Sequence, residues 1–219
     1  MRSILIAAAV ATAAISGLTA EARADATTMS FFVTSVGSGD GANLGGLEGA
    51  DAHCQALAKA AGSPKSSWHA YLSTTAPMGD AGVNARDRIG KGPWMNFKGE
   101  VIASSIEELH SAQNNLTKET ALTEKGEKVA GRGDPVNTHD MLTGSDPQGM
   151  YSTAGGDTTC SNWTSDKDGS AIVGHSDRLG LKDTRHMKSW NSAHGTPGCS
   201  PEALKKVGGA GLFYCFAAE

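Results

Sequence analysis

Three of the seven histidines in this sequence fall in one long Gly-, Ser- and Asp-rich segment, residues 155–198. They are His175, His186 and His194. Zinc binds imidazole and carboxylate groups, and a zinc site needs three or four such groups to converge in space. A segment this long without regular pattern is typically functional or mobile. A zinc site at these histidines is one hypothesis, and surface histidines without a ligand are the alternative.

The same segment carries a pattern of acidic residues that could bind calcium. In "SDKDGS", Asp166 and Asp168 stand one residue apart and are followed by Ser170. Calcium takes six to eight oxygen ligands, and its loops begin with alternating acidic residues. The glycine is misplaced for an EF-hand, and Asp177 is a weak substitute for the bidentate glutamate. A solvated turn is the alternative for this stretch.

The stretch "GHSDR", residues 174–178, places a histidine, a serine and an aspartate side by side. Catalytic triads form from separate elements that converge in space, so sequence neighbours are weak evidence for one. The sequence also has no G-x-S-x-G nucleophile motif. A hydrolase would therefore have to use the loop histidines, together with a metal or a shifted pKa.

The first 24 residues predict a cleaved secretory signal peptide. Arg2 precedes an apolar run from Ile4 to Leu18, and "ARA" at 22–24 is a small-x-small cleavage site. The run is short for a membrane span of about 20 residues. We therefore expect one domain over residues 25–219, periplasmic or secreted, with no membrane span after cleavage.

The charge of the exported part disfavours a nucleic-acid partner. The formal net charge of the whole chain is −4. Removing Arg2, Arg23 and Glu21, which together carry +1, leaves −5. Nucleic acids are bound by clustered Lys and Arg side chains, which a mildly acidic domain lacks.

All four cysteines lie in the exported part, and an even number in an oxidising compartment predicts two disulfides. Four cysteines allow three pairings, and the spacing alone does not choose among them. A zinc site made of thiolates is the alternative, but the sequence contains no C-x-x-C pair. The cysteines are Cys54, Cys160, Cys199 and Cys215.

Hydrophobic periodicity predicts a mixture of helices and strands. Apolar residues recur at steps of three and four from Leu47 to Ala61, which predicts a helix with Cys54 facing the core. Ser104 and Glu107 have the spacing of a capping box at the start of a short helix. Strands are predicted in "SFFVTS", "SWHAYLST", "PWMNFKGEVIA" around a turn at 98–99, "HDMLTGS" and "GLFYCFAA".

Five stretches occur in the same order as in a known family. They are "GADAHCQALAKAAGSPKSSWHAYLST", "NARDRIGKGPWMNFKGEVIASSIEELH", "TGSDPQG", "TCSNWTS" and "LFYCF". Together they resemble endostatin, the C-terminal domain of collagen types XV and XVIII, from about Phe31 to the end of the chain. The most specific pieces are residues 49–51 with Cys54, residues 145–147 with Gly149, and Cys160 with Trp163. The resemblance implies an α+β, C-type lectin-like single domain.

The resemblance also implies two nested disulfides, which pair Cys54 with Cys215 and Cys160 with Cys199. Trp163, beside a disulfide, is expected in the core. Sugar-binding C-type lectins use Glu-Pro-Asn or Gln-Pro-Asp and Trp-Asn-Asp to hold calcium. The nearest match here is residues 190–192, Trp-Asn-Ser. Calcium and zinc are thus the candidate cofactors, and neither follows from the family pattern alone.

These observations predict an exported, non-catalytic binding module that recognises a glycan or an envelope or matrix component. The loop between Cys160 and Cys199 is expected to form its site, with Trp190 stacking on a sugar face. The predicted ligand-binding residues are Asp166, Asp168, His175, Asp177, Arg178, Trp190, Asn191 and His194. One alternative is a metalloenzyme or hydrolase that uses the loop histidines. The other is a structural envelope protein that binds a protein partner through an exposed apolar patch.

Overall fold

Helices and strands alternate around a central sheet in the computed structural model, which describes residues 25–75, 81–152 and 156–218. The predicted signal peptide, residues 1–24, lies outside the described residues. The helices are α1 (Gly46–Ala60), α2 (Ile106–Leu109), α3 (Cys160–Trp163) and α4 (Pro201–Val207), with 3₁₀ turns at Ala85–Asp87 and His186–Lys188. The strands are β1 (Phe31–Val33), β2 (Trp68–Ala70), β3 (Trp94–Met95), β4 (Val101–Ala103), β5 (Asp140–Leu142), β6 (Ile172–His175), β7 (His194–Gly195) and β8 (Gly209–Ala217). This content agrees with the α+β class, and none of these helices has the length and apolar character needed to cross a membrane.

The long last strand, β8, organises the main sheet. It pairs antiparallel with β1 and β2 and parallel with β5. On the far side of β5, the antiparallel strands β6 and β7 complete six strands. Strands β3 and β4 form a separate antiparallel pair. Strand β5 therefore lies between the C-terminal strand and the strands of the long Gly-rich segment.

Strand β8 is buried on both faces, and its side chains alternate between two apolar clusters. Phe213 and Cys215 belong to one cluster, and Tyr214 and Phe216 belong to the other. This period of two follows from the pleat of a strand. The predicted apolar closing strand is thus the shared wall of both halves of the core.

The two disulfides are the pairs that the resemblance implied. Cys54 bonds Cys215, which ties α1 to β8, and Cys160 bonds Cys199 at the base of the long segment. The buried face of α1 contains Cys54, as its periodicity predicted. Two disulfides indicate an oxidising environment, such as the periplasm or the extracellular space.

The predicted strands are confirmed, and the predicted capping box is displaced by one residue. Strands form in all five predicted stretches, and the hairpin of β3 and β4 turns at Lys98 and Gly99. The capping box predicted at Ser104 and Glu107 is one residue further along. The Ser105 hydroxyl accepts a hydrogen bond from the Glu108 N–H, and the Glu108 carboxylate accepts one from the Ser104 N–H.

The segment Cys160–Trp163 forms one turn of left-handed helix, with φ between 49° and 68° at all four residues. For residues other than glycine this conformation costs about 1–2 kcal/mol each, so the surroundings must hold it. The Trp163 indole donates to the Ser73 carbonyl at 2.8 Å. The Thr75 N–H donates to the Asn162 side-chain oxygen, also at 2.8 Å. With the Cys160 disulfide, these bonds fix Trp163 in the core, as its place beside the disulfide predicted.

The largely exposed Asp157 carboxylate also supports this turn. It accepts hydrogen bonds from the N–H groups of Ser161 and Thr159. Partial burial opposes ionisation of Asp157, but these hydrogen bonds outweigh it and lower the pKa of the carboxyl below its usual value.

We expect Asp157→Asn to lower the free energy of unfolding by less than about 1 kcal/mol, because the carboxylate is solvent-screened. A depressed carboxyl pKa stabilises the fold above the unfolded pKa, and that contribution is lost as pH falls through the folded value. The difference from wild type should thus be present at pH 7 and smaller near pH 3. Urea unfolding at both pH values measures it, with exposed Asp40→Asn as the control. An equal difference at both pH values would contradict this account.

Candidate metal centre

Three neighbouring strands bring four polar side chains together at one end of the main sheet. Asp140 opens β5 and stands directly opposite His175, the last residue of β6. His194 opens β7 and pairs with Val173 of β6. His139 immediately precedes β5. Directly opposed residues of antiparallel strands have Cβ atoms about 5 Å apart, so this register places the side chains within mutual reach.

The Nε2 atoms of three histidines converge on the carboxylate of Asp140. His139 Nε2 lies 3.2 Å and His175 Nε2 lies 3.3 Å from Asp140 Oδ1. His194 Nε2 lies 3.5 Å from Asp140 Oδ2. The Asp140 side chain is fully buried, and that of His194 is 27% exposed. The cluster is therefore closed on the core side, and His194 lies nearest to solvent.

These close approaches are not hydrogen bonds. Both carboxylate oxygens of Asp140 and the Nε2 atom of His175 are buried without a hydrogen-bond partner among the described residues. A buried polar atom without a partner costs about 1–3 kcal/mol, and more when the group is charged. Such atoms in a native fold therefore call for a partner, and an ion is one explanation.

The other ring nitrogen of each histidine is held by an acceptor. His139 Nδ1 lies 2.8 Å from an Asp177 carboxylate oxygen. His175 Nδ1 lies 2.8 Å from the Met187 carbonyl oxygen, and His194 Nδ1 lies 3.1 Å from the Gly195 carbonyl oxygen. These acceptors assign the proton of each neutral ring to Nδ1, which leaves a lone pair on Nε2. In each of the three histidines, the nitrogen that carries the lone pair is then the Nε2 atom near Asp140.

The burial of the cluster sets its charge state. Burial raises the pKa of the Asp140 carboxyl to about 6, against the opposing effect of His194 and His139. Burial lowers the pKa of His175 to about 4, although its hydrogen bond to the Met187 carbonyl opposes the shift. At pH 7 the cluster therefore contains a carboxylate and a neutral His175 imidazole, which are the forms that bind a metal ion.

The spacing of these atoms matches a transition-metal site. Ligand atoms about 2.0–2.1 Å from a tetrahedral zinc ion lie roughly 3.3 Å from one another. The three nitrogen–oxygen distances here are 3.2, 3.3 and 3.5 Å. Imidazole ligands suit Zn, Cu, Fe and Ni, whereas Ca and Mg prefer oxygen. His139, Asp140 and His175 each offer one ligand atom, and these three atoms lie within 4.8 Å of one another; His194 lies outside this group and approaches the other oxygen of Asp140. A donor set rich in imidazole suits a zinc-type ion and does not suit calcium.

The cluster forms the floor of a cavity of about 1040 Å³. His139, His175 and His194 line it together with residues of α4 and of the loop after β6. A volume of this size is at the upper end for small-molecule sites. A metal ion held here would be accessible to a ligand from the cavity side.

The structure divides the predicted ligand-binding residues into groups. His175 and His194 belong to the cluster, and Asp177 supports it through His139. Asp166 and Asp168 lie on the turn before β6, at a distance from the cluster in sequence and outside the residues that line the cavity.

The remaining predicted residues lie at a second, smaller cavity of about 420 Å³. Arg178, Trp190 and Asn191 line it, and so does His186. His186 is exposed in its 3₁₀ turn and does not join His175 and His194, so the predicted trio does not converge. Arg178 donates to the Lys188 carbonyl and the Asn114 side chain.

The position of Trp190 disfavours the predicted stacking on a sugar, which stays a prediction. Its side chain is in the core, where the ring contacts Tyr71 and Tyr214, and the residue is only 4% exposed. Asn191 is buried as well, and its amide donates to the Tyr71 hydroxyl at 3.0 Å. Both residues therefore have core contacts, although they also line the smaller cavity.

The sequence interpretation missed two members of the cluster. His139 and Asp140 stand at the start of "HDMLTGS", which was interpreted only as a strand. A signal was present, because Asp is depleted in strands and an adjacent His-Asp pair at the start of a buried strand needs partners.

Comparison with protein-family models finds no match to this chain. Comparison with curated proteins finds none either.

Asp177 orients His139, and its removal provides a test of the ligand shell. Burial opposes its ionisation, but hydrogen bonds from His139 and from the N–H groups of Arg132 and Leu179 outweigh it and lower its pKa. We expect Asp177→Asn to weaken zinc affinity by about 10- to 100-fold, as for other groups that orient a ligand histidine. Zinc titration against a competing chelator measures this. Asp183→Asn, on the exposed loop, is the control, and equal affinities for the two variants would exclude the orienting role.

Proposed function

We propose that this chain is a metalloprotein that binds a zinc-type divalent ion through His139, Asp140, His175 and His194. The observation that carries the proposal is that three imidazole Nε2 atoms lie within 3.5 Å of a buried carboxylate that has no hydrogen-bond partner among the described residues. The proposal corresponds to the metalloenzyme alternative drawn from the loop histidines, with a different set of ligands.

The position of the site favours chemistry over a purely structural role. Four protein ligands close a zinc site, so catalysis here requires His194, the most exposed of the four side chains, to give up its position to water or substrate. Here the imidazoles line a large cavity, and His194 is partly exposed. A zinc ion lowers the pKa of a bound water and polarises carbonyl oxygens. Hydrolysis of a small molecule is accordingly the reaction class that we propose.

Metal content tests the first part of this proposal. The oxidised protein is stripped with a chelator, dialysed against zinc, and its bound metal is counted. We expect one tightly bound ion per chain, and loss of that ion in His194→Ala. His186→Ala is the matched control, because that histidine lies in the same segment but outside the cluster. Absence of a tightly bound ion, or equal loss in both variants, would refute the metal centre.

Cobalt gives a second measurement that does not depend on activity. Four-coordinate Co²⁺ absorbs visible light much more strongly than six-coordinate Co²⁺. The cobalt-loaded protein is therefore expected to show intense bands that disappear in His194→Ala and persist in His186→Ala. Weak bands in the cobalt-loaded wild type would contradict the proposed coordination.

The glycan-binding function predicted from the sequence stays a prediction. The disulfide pairing supports the C-type lectin-like fold on which it rests, and with it a periplasmic or secreted location. The burial of Trp190 leaves its predicted sugar contact with little exposed surface. Binding of the oxidised protein to a glycan array, with zinc and then with EDTA, tests it. If EDTA abolishes glycan binding, the metal ion takes part in glycan recognition. If no glycan binds, the glycan-binding prediction fails and the metalloprotein proposal is unaffected.

A further inference from the structure

The cavity above the metal cluster has an apolar and unusually exposed rim. Val136 is 62% exposed and Leu181 is 80% exposed, the two highest values among the large hydrophobic residues that the structure describes. Both line this cavity, together with Met187 and Val207. Exposed apolar side chains that gather at one concave surface indicate a site for an apolar group. The ligand of this cavity should therefore have a hydrophobic body.

The charged side chains at the same cavity are all basic. Arg132, Lys205 and Lys206 line it, and no Asp or Glu is among its lining residues. Within residues 25–75, 81–152 and 156–218, no ion pair involves any of the three. The whole chain carries a formal charge of −4, so this local excess of positive charge runs against the average. Clefts lined by one sign of charge concentrate ligands of the opposite sign.

From these features we infer that the cavity binds an amphipathic organic anion, with its apolar body against Leu181 and Val136 and its anionic group near Lys205 and Lys206. The inference deepens the proposed function, because a divalent ion held there would offset the negative charge of Asp140 and Asp177 beneath the cavity. The lysines and the apolar rim, however, belong to the protein whether or not a metal is bound. The two proposals can therefore fail separately.

Octanoate is a suitable probe, because related molecules allow the contributions of its anionic group and of its apolar chain to be measured separately. Octanol has the same apolar body without charge, acetate has the charge without the body, and octylammonium has the opposite charge. Calorimetric titration is carried out on zinc-loaded protein and on protein stripped with a chelator. We expect octanoate to bind both forms, and to bind at least about tenfold more tightly than octanol, octylammonium or acetate.

Variants of the rim assign this binding to the cavity. We expect Lys205→Gln/Lys206→Gln to weaken octanoate binding by about tenfold or more and to leave octanol binding unchanged. Leu181→Asn should weaken both. Lys91→Gln/Lys98→Gln is the matched control, because both lysines are exposed and outside the cavity. All of these residues are exposed, so the variants are expected to fold.

Three results would overturn the inference. One is octanol binding as tightly as octanoate, because the anionic group would then be irrelevant. Another is unchanged octanoate affinity in Lys205→Gln/Lys206→Gln. The third is octanoate binding that appears only with zinc and ignores the lysines, since octanoate would then be a simple metal ligand. Absence of zinc binding with lysine-dependent octanoate binding would instead refute only the metal centre.

Discussion

Replacing Asp140 with asparagine should abolish zinc binding and make the metal-free protein more stable. The carboxylate is buried with both oxygens unpartnered, and its pKa of about 6 shows that the fold disfavours its ionised form. A carboxyl with a pKa of about 6 in the folded state and near 4 in the unfolded state costs the fold on the order of 2–3 kcal/mol at pH 7. An asparagine amide removes the charge and can also donate to the Nε2 lone pairs, which a carboxylate cannot do.

The size of this stability difference depends on pH. A carboxyl whose folded pKa is raised destabilises the fold above that pKa, and the cost disappears as pH falls toward the unfolded value near 4. The advantage of Asp140→Asn should therefore be largest at pH 7 and above, and it should shrink between pH 6 and pH 4. Urea unfolding in the presence of a chelator, repeated across this range, measures the free energy of unfolding of both proteins.

Zinc should reverse the order of the two stabilities. A ligand present at about 1,000 times its Kd stabilises the native state by about 4 kcal/mol, and only the wild type can gain this. Asp168→Asn, on an exposed turn outside the cavity, is the control and should match wild type in both conditions. An Asp140→Asn protein that still binds zinc, or that is less stable than wild type without zinc, would contradict the assignment of Asp140 as a ligand.

Removing the disulfide between Cys54 and Cys215 should cost most of the stability of the fold. The bond spans 161 residues of sequence, and the chain-entropy model gives a loss of about 5 kcal/mol for a loop of that length. Domains of this size are stable by only about 5–15 kcal/mol. Both sulfurs are also buried between α1 and β8, so Cys54→Ala/Cys215→Ala leaves a packing defect as well. Denaturant unfolding at 25 °C measures the loss.

The second disulfide is the natural comparison. Cys160 and Cys199 are separated by 39 residues, for which the same model gives about 4 kcal/mol. We expect Cys160→Ala/Cys199→Ala to be less destabilised than the first double variant. It should also lose order around the left-handed turn, which is visible as a change in the fluorescence or NMR signals of Trp163. If both double variants have the same free energy of unfolding as wild type, the disulfides do not stabilise the fold by lowering the conformational entropy of the unfolded chain.

Local features were predictable because short-range physics determines them. The helix around Cys54 follows from apolar residues on one face, and β8 follows from a run of apolar and aromatic residues bounded by glycine. The displacement of the capping box from Ser104 to Ser105 also has a short-range cause. Two adjacent serines are each followed three residues later by a glutamate, so the local pattern fits both positions equally well.

The environment of Trp190 was harder to predict because it depends on residues far along the chain. Tyr71 and Tyr214 enclose its ring, and they come from segments more than 100 residues before it and about 20 residues after it. An aromatic residue in a polar segment suits both a sugar-binding surface and a core contact. The sequence pattern alone cannot separate these two environments.

Local sequence patterns are sufficient to predict an α-helix with a core-facing cysteine, an apolar closing strand, and a concentration of histidines and aspartates after residue 138. Which of these groups come into contact depends on how the strands pair. Strand β5 inserts between β8 and β6, and its register sets Asp140 opposite His175 while His186 stays on the surface. A shift of one residue would turn these side chains to the other face of the sheet. The proposed metal centre therefore depends on long-range strand pairing, which no local pattern in the sequence encodes.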